Sequence, residues 1–151
     1  MFNKLKINKT IDIKKKLKGT KNLSIKVGFP SLNQKTSSTD TGGISAIDKA
    51  TINNFGLGVP KRPFMSISFA KNKKIYKGLI LKHFSNINNA DNVEFYNKLG
   101  LKGQGDVQKE IIALRTPANS QSTIDAKGSS NPLIDTGHML QSVTFSVGEK
   151  Q

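Results

Sequence analysis

Two short stretches at opposite ends of the chain alternate between apolar and polar residues, and they constrain the fold more than anything between them. In "NLSIKVGF", residues 22–29, Leu23, Ile25, Val27 and Phe29 alternate with Ser24, Lys26 and Gly28. Near the C-terminus, Val143, Phe145 and Val147 alternate with Thr144 and Ser146. Successive side chains on a strand point to opposite faces, so each stretch predicts a strand with one buried face. Pro30 ends the first. The two share a half-buried character and are expected to pair in one sheet, antiparallel, with helices on the apolar face. The predicted class is α+β: a small, mostly antiparallel sheet with helices packed on one face. Two strands alone make a poor sheet. A third is expected from "GVPKRPF", from the 31–43 loop, or from neighbouring copies, in which case oligomerisation completes the fold.

The segments between the strands carry helical spacing. Thr10 is placed to cap a short helix starting at Ile11. "ISAIDKATINNFG" puts Ile44, Ile47, Thr51 and Phe55 at helical spacing, with Gly56 as a stop. Two prolines, Pro60 and Pro63, then force an extended connection. Pro63 suits the start of a helix that places Met65, Phe69, Tyr76, Leu79 and His83 on one face. "SNINNADN" breaks that pattern, and Asp91 is a candidate cap for the next helix. That helix runs to about Arg115, with Val93, Tyr96, Gly100, Gly103, Val107, Ile111 and Leu114 recurring at three- and four-residue steps. Glycine in a helix interior costs up to about 1 kcal/mol against alanine. Gly100, Gly103 and Gly105 therefore mark either a break or a close approach by another backbone, and the spacing favours the approach. "TPANSQSTIDAKGSSNP" reads as a long polar loop.

The length of 151 residues suits a single domain with one modest core, spanning 1–151, with a basic N-terminal segment at 1–21. Loops at about 31–43 and 116–133 are expected to be mobile, and removing 118–131 is expected to leave a folded protein. There is no cysteine, so no disulfide framework, thiolate metal site or cysteine nucleophile. The N-terminus is basic without the apolar run of a signal peptide, and no apolar run reaches membrane-span length. An intracellular soluble protein without membrane contact is the expectation.

Lysine and arginine number 24 against 10 acidic residues, a formal net charge of +14, and the only arginines are Arg62 and Arg115. Lysine gives a diffuse hydrated field, whereas base-edge and bidentate phosphate recognition favour the planar guanidinium. The charge fits a surface near polyanions or acidic partners. An AT-rich coding sequence explains a lysine-rich composition equally well. The run Lys14-Lys15-Lys16 reads as a solvated face.

Motifs that carry chemistry are few. "LIDTG", residues 133–137, resembles the way an aspartic protease presents its catalytic aspartate. Too few residues follow Asp135 to build the rest of that fold. Asp135 or Thr136 is instead expected to cap the turn that follows. His83 and His138 are the only histidines, and neither sits in a hydrolase or metalloprotease motif. His83 lies on an apolar helix face, as a core or interface histidine does. "NFGLGVP" and "GLKGQG" lack the lysine and hydroxyl of a phosphate loop. No metal-ligand spacing appears. A basic nucleic-acid-binding module is the alternative reading of the charge.

The order of three elements says more than any one. "IKVGFP" comes first. "AIDKATINNFGLGVPKRPFM" then resembles a pattern F-G-x…P-x-R-P-F, and "PANSQSTIDAKGSSNPLIDTGHMLQSVTFSV" resembles S-T-(I/L)-x-x-K-G…P-L-(I/L)-D-T-G-x-(L/M)-x-x-S. Together, across about residues 23–147, they resemble the virion-morphogenesis, tail-completion and head–tail joining proteins of tailed bacteriophages. Phe55, Gly56, Pro60, Arg62, Pro63 and Phe64 match the first pattern. Ser122, Thr123, Lys127, Gly128, Pro132, Leu133, Asp135, Thr136, Gly137, Met139 and Ser142 match the second. Asn54, where an acidic residue is common, and the glycine-rich helix depart from it.

The resemblance implies a structural virion protein at the neck or tail top, assembled in the host cytoplasm, with neither enzymatic activity nor a cofactor. It implies a homo-oligomeric ring, hexameric or larger, that meets the head connector on one side and the tail terminator or tube on the other. The lysines would then face acidic neighbouring rings or make non-specific contact with DNA in the channel.

Overall fold

The computed structural model describes residues 23–29, 44–85 and 92–149. The readings for 1–21, for the 31–43 loop and for Asp91 fall outside these residues. Among the described residues two strands, β1 (Leu23–Gly28) and β2 (Thr144–Glu149), form a two-stranded antiparallel sheet. The register pairs Val27 with Phe145 and Ile25 with Val147. The alternation seen in sequence thus puts four apolar side chains on one face of the sheet. "GVPKRPF" adds no strand: residues 57–63 form an irregular connection.

Three longer helices lie between the strands in sequence. α1 (Ala46–Phe55) starts at Ser45, whose hydroxyl accepts the Asp48 N–H, and stops at Gly56 in the left-handed region at φ 77°. A Cβ at Gly56 would sit 2.9 Å from the Lys61 Cβ, so both φ and space demand glycine there. The expected apolar face of α1 is not the buried one. Phe55 is 63% exposed, while Ala50 is buried. A small residue lets the helix approach closely, and the face that carries it also presents Asn53 inward.

α2 (Phe64–Ser85) and α3 (Asn92–Ala113) pack against each other. Residue pairings along them run in opposite senses. His83 stacks on Phe95 at 3.9 Å and bonds Asn92 at 2.8 Å; Tyr76 donates to Asp106 Oδ2 at 2.7 Å; Lys71 reaches Glu110 at 2.7 Å. This seam is polar, which the apolar pattern of α2 did not predict. Phe69 and Leu79 are each 37% exposed, and the buried residues of α2 are Phe64 and Ser68. Asp106 and Glu110 are both buried, so their charges depend on Lys102, Tyr76 and Lys71. Burial and the Asp106 carboxylate raise the Tyr76 pKa, which keeps its hydroxyl a donor throughout the ordinary pH range. Tyr76→Phe is expected to cost about 1–2 kcal/mol, the worth of a hydrogen bond to a partly buried carboxylate. Urea denaturation at neutral pH measures it; an unchanged midpoint would show that Lys102 alone satisfies Asp106.

α3 is continuous, so its glycines mark no break, and what comes close to Gly100 and Gly103 is side chains of the sheet and not the expected second backbone. Gly100 and Gly103 are buried under the sheet. The contact is so close that a Cβ at Gly100 would lie 2.3 Å from the Phe145 ring, and one at Gly103 3.1 Å from Val27 Cγ2. Gly105 has nothing within 4 Å. Beyond the glycines, Val107, Ile111 and Leu114 join Phe64, Leu133, Met139, Val143 and Ala50 in the core. Phe29 meets Phe64 edge-on at 6.3 Å. Among the described residues no helix is long and apolar enough to cross a membrane.

Candidate functional site: an arginine clamp and the cleft beside it

The expected loop at 116–133 contains a helix, α4 (Gln121–Lys127). Ser120 caps it by accepting the Thr123 N–H, and Gly128 ends it in the left-handed region at φ 66°. The signal was in the sequence: a serine before the helix and a glycine after it, on either side of "QSTIDAK". Of the matched residues, Thr123 and Gly128 therefore serve the helix ends. Ser122 is exposed, with its hydroxyl 3.1 Å from that of Ser120.

Arg62 holds the segment that leads into α4 against α1. It is only 3% exposed and has no carboxylate partner among the described residues. Its Nε donates to the Pro117 carbonyl at 2.8 Å, and Nη1 donates to Asn53 Oδ1 at 2.9 Å. Nη2 donates to Asn119 Oδ1 at 3.0 Å and to the Ala118 carbonyl at 3.3 Å. The Arg62 N–H itself donates to the Asn53 carbonyl at 2.8 Å. The planar fork thus meets acceptors from α1 and from residues 117–119 at once, which an ammonium on a flexible stem does not do. Burial lowers the Arg62 pKa, yet guanidinium starts so high that it stays charged. Pro63 and Phe64 follow directly. Phe64 is fully buried, so the sequence "RPF" drives one charged clamp and one apolar anchor into the same place. Phe55 and Pro60, matched in the same pattern, point to solvent.

Beside the clamp is a cleft of about 120 Å³ between α1, the end of α4 and the 132–139 turn. Lys49, Asn53, Lys127, Asp135 and His138 contribute its polar groups, with Leu133 and Met139 beneath. Lys127 is half-buried, and desolvation lowers its pKa; Asp135 opposes that shift, while Arg62 and Lys49 add to it. Among the described residues the cleft sets two lysines, Lys49 and Lys127, beside one carboxylate, Asp135. Among the described residues no group of three His, Cys, Asp or Glu could hold a metal ion.

The turn meets the sequence expectation in one of its two alternatives. α5 (His138–Gln141) has Gly137 at its N-cap position, at φ 81°, and no side chain caps it there. Asp135 is exposed and lines the cleft. Thr136 comes nearer to the expected role, with its hydroxyl 3.5 Å from the His138 N–H. Of the two expected caps, Thr136 and not Asp135 accepts a backbone N–H of the turn, and Gly137 in the left-handed region reverses the chain. Ser142 closes α5 by donating to the His138 carbonyl at 2.8 Å. Pro132, Leu133 and Met139 are buried. Asn131 went unnoticed in the sequence. It is buried, donates to the Ile112 carbonyl at 3.1 Å and accepts the Leu133 N–H at 2.9 Å, tying the end of α3 to the turn. Only its place before Pro132 could have hinted at this.

Arg62, from the first matched stretch, thus binds residues 117–119, which lead into the second. No family model, curated protein or solved structure matches the chain.

Proposed function

We propose that the chain is a structural component of a tailed-bacteriophage virion, a head–tail joining protein that forms a ring between connector and tail. The observation that carries this reading is the ordered pair of motifs around "VPKRPF" and "STIDAKG…PLIDTG". Arg62 of the first motif grips residues 117 and 119, just ahead of the second motif, which supports reading the two together. The surface agrees with a subunit finished by neighbours. Phe55, Leu57, Ile75, Leu81 and Leu101 are each at least half exposed and are available to neighbouring subunits. The lysine-rich field suits contact with acidic rings or with DNA that must slide.

Disrupting the coding sequence is expected to leave DNA-filled heads and separate tails under negative-stain microscopy, with joining restored by the wild-type chain. Mass spectrometry of purified particles should find the chain in stoichiometric amount. Its absence from particles, together with salt-dependent DNA binding by the isolated monomer, would favour the nucleic-acid-binding alternative.

A further inference from the structure

Lysine resists burial, because its ammonium gives up hydration that a protein interior seldom replaces. Among the described residues every lysine is exposed except Lys49, Lys102 and Lys127, which are half-buried. Asp106 accounts for Lys102, at 2.9 Å. The other two come from α1 and from the end of α4, and both line the cleft beside the arginine clamp.

Lys127 takes part in none of the ion pairs among the described residues. Desolvation lowers its pKa; Asp135 opposes the shift, and Arg62 and Lys49 add to it. Asp135 is exposed and makes no ion pair with Lys127. Packing alone does not ask for a cation here. A lysine that merely covers apolar surface lays its stem on it and sends its ammonium out to water. At Lys127 the ammonium itself is desolvated, and two further cations act on it. Such convergence in a cleft is the arrangement of an anion site.

Size and charge narrow the anion. The cleft's volume of about 120 Å³ lies well below the roughly 300–1,000 Å³ of sites that enclose drug-sized ligands. It is too small to enclose a nucleotide. The lining sets Lys49 and Lys127 against Asp135, so one negative charge balances it better than a phosphate dianion, which must also face Asp135. Leu133 and Met139, both buried, form an apolar floor for a short hydrocarbon stem.

We infer that the cleft between α1, the end of α4 and the 132–139 turn binds a carboxylate carried on a short aliphatic stem, with Lys127 and Lys49 as its cationic contacts. A free short-chain acid and a glutamate side chain of a partner protein share this chemistry. The inference stands apart from the joining role and does not depend on it.

Titration of the full ¹⁵N-labelled chain with butyrate, followed by NMR at neutral pH and constant ionic strength, tests it. Saturable shifts are expected at the residues that line the cleft, with a Kd on the order of millimolar. Lys127→Met should weaken binding about tenfold, the worth of a hydrogen bond to a charged group. Asp135→Asn should tighten it severalfold by removing the repulsion. That position is exposed, so this variant keeps the test decisive if Lys127→Met disturbs the fold. Lys77→Met, at an exposed position on α2, should leave binding unchanged. Glutamate capped at both ends separates the two sources. Affinity equal to that of butyrate assigns the site to a partner's side chain, and exclusion assigns it to a free acid. The absence of saturable shifts overturns the inference, as does binding indifferent to both Lys127→Met and Asp135→Asn. Inorganic phosphate binding more tightly than butyrate also overturns it, because the cleft would then select charge and not a carboxylate with its stem.

Discussion

Arg62→Ala is expected to destabilise the protein by about 3 kcal/mol or more. Four side-chain hydrogen bonds disappear, linking Arg62 to Asn53, Pro117, Ala118 and Asn119. Net contributions of hydrogen bonds to a charged group run to about 1.5–3 kcal/mol each, and the guanidinium's own desolvation cost offsets part of the sum. For a chain of this size, about 3 kcal/mol corresponds to a fall in Tm of roughly 6–12 °C. Arg62→Lys should lie closer to the alanine variant than to the wild type, because one ammonium does not span the acceptors that the fork meets. Thermal and urea unfolding measure both. A loss under about 1 kcal/mol for Arg62→Ala would mean that water replaces the clamp at little cost. Deletion of 118–131 changes meaning for the same reason. From sequence it should leave a folded protein; in the structure it removes two residues that Arg62 grips, and α4 with them.

The second large effect is a contrast between glycines on one helix. Both Gly100→Ala and Gly105→Ala gain up to about 1 kcal/mol of helix propensity. At Gly105 nothing opposes the gain, since a Cβ there meets no atom within 4 Å. At Gly100 the Cβ would lie 2.3 Å from Phe145 Cδ2 and 2.9 Å from its Cγ, so the ring or the whole strand must shift. Overpacking of this kind costs about 1–3 kcal/mol. Gly105→Ala should therefore raise the urea midpoint and Gly100→Ala lower it. If both raise it, β2 does not lie on α3 as described. If both lower it, the helix is strained around Gly105 in a way the open space does not explain.

The sequence was most legible where one local rule was enough. Period-two alternation placed β1 and β2, because the pleat sends alternate side chains to one face whatever lies beneath. Gly56 ended α1 as read, because only glycine enters the left-handed region without steric cost. The three- and four-residue steps through Gly100, Gly103, Val107 and Ile111 gave the buried line of α3. Legibility failed where partners decide. The apolar residues of α2 predicted an apolar seam, but the partner helix offers Asp106 and Glu110, so Tyr76 and Lys71 meet it and Leu79 faces out. Phe55 matched a motif and an apolar spacing, yet it is exposed, since Asn53 is the residue of α1 that Arg62 requires. The helix α4 was overlooked because its interior is polar, although Ser120 and Gly128 marked its ends.

The candidate site was half-visible in the same way. Arg62, Lys127 and Asp135 stood out as matched residues, but nothing local says that Arg62 is buried or that Lys127 lies beside it. Long-range contacts decide both. By itself the sequence determined the two strands, their half-buried faces, the C-terminal stop of α1 and the cationic charge, all set by backbone stereochemistry and residue type over a few positions. Only the tertiary structure decided that Gly100 and Gly103 of α3 seat the sheet, that Arg62 joins residues distant in sequence, and that a shallow groove lies between Phe145 and the N-terminal half of α3. Each of these depends on what the rest of the chain brings within a few ångströms.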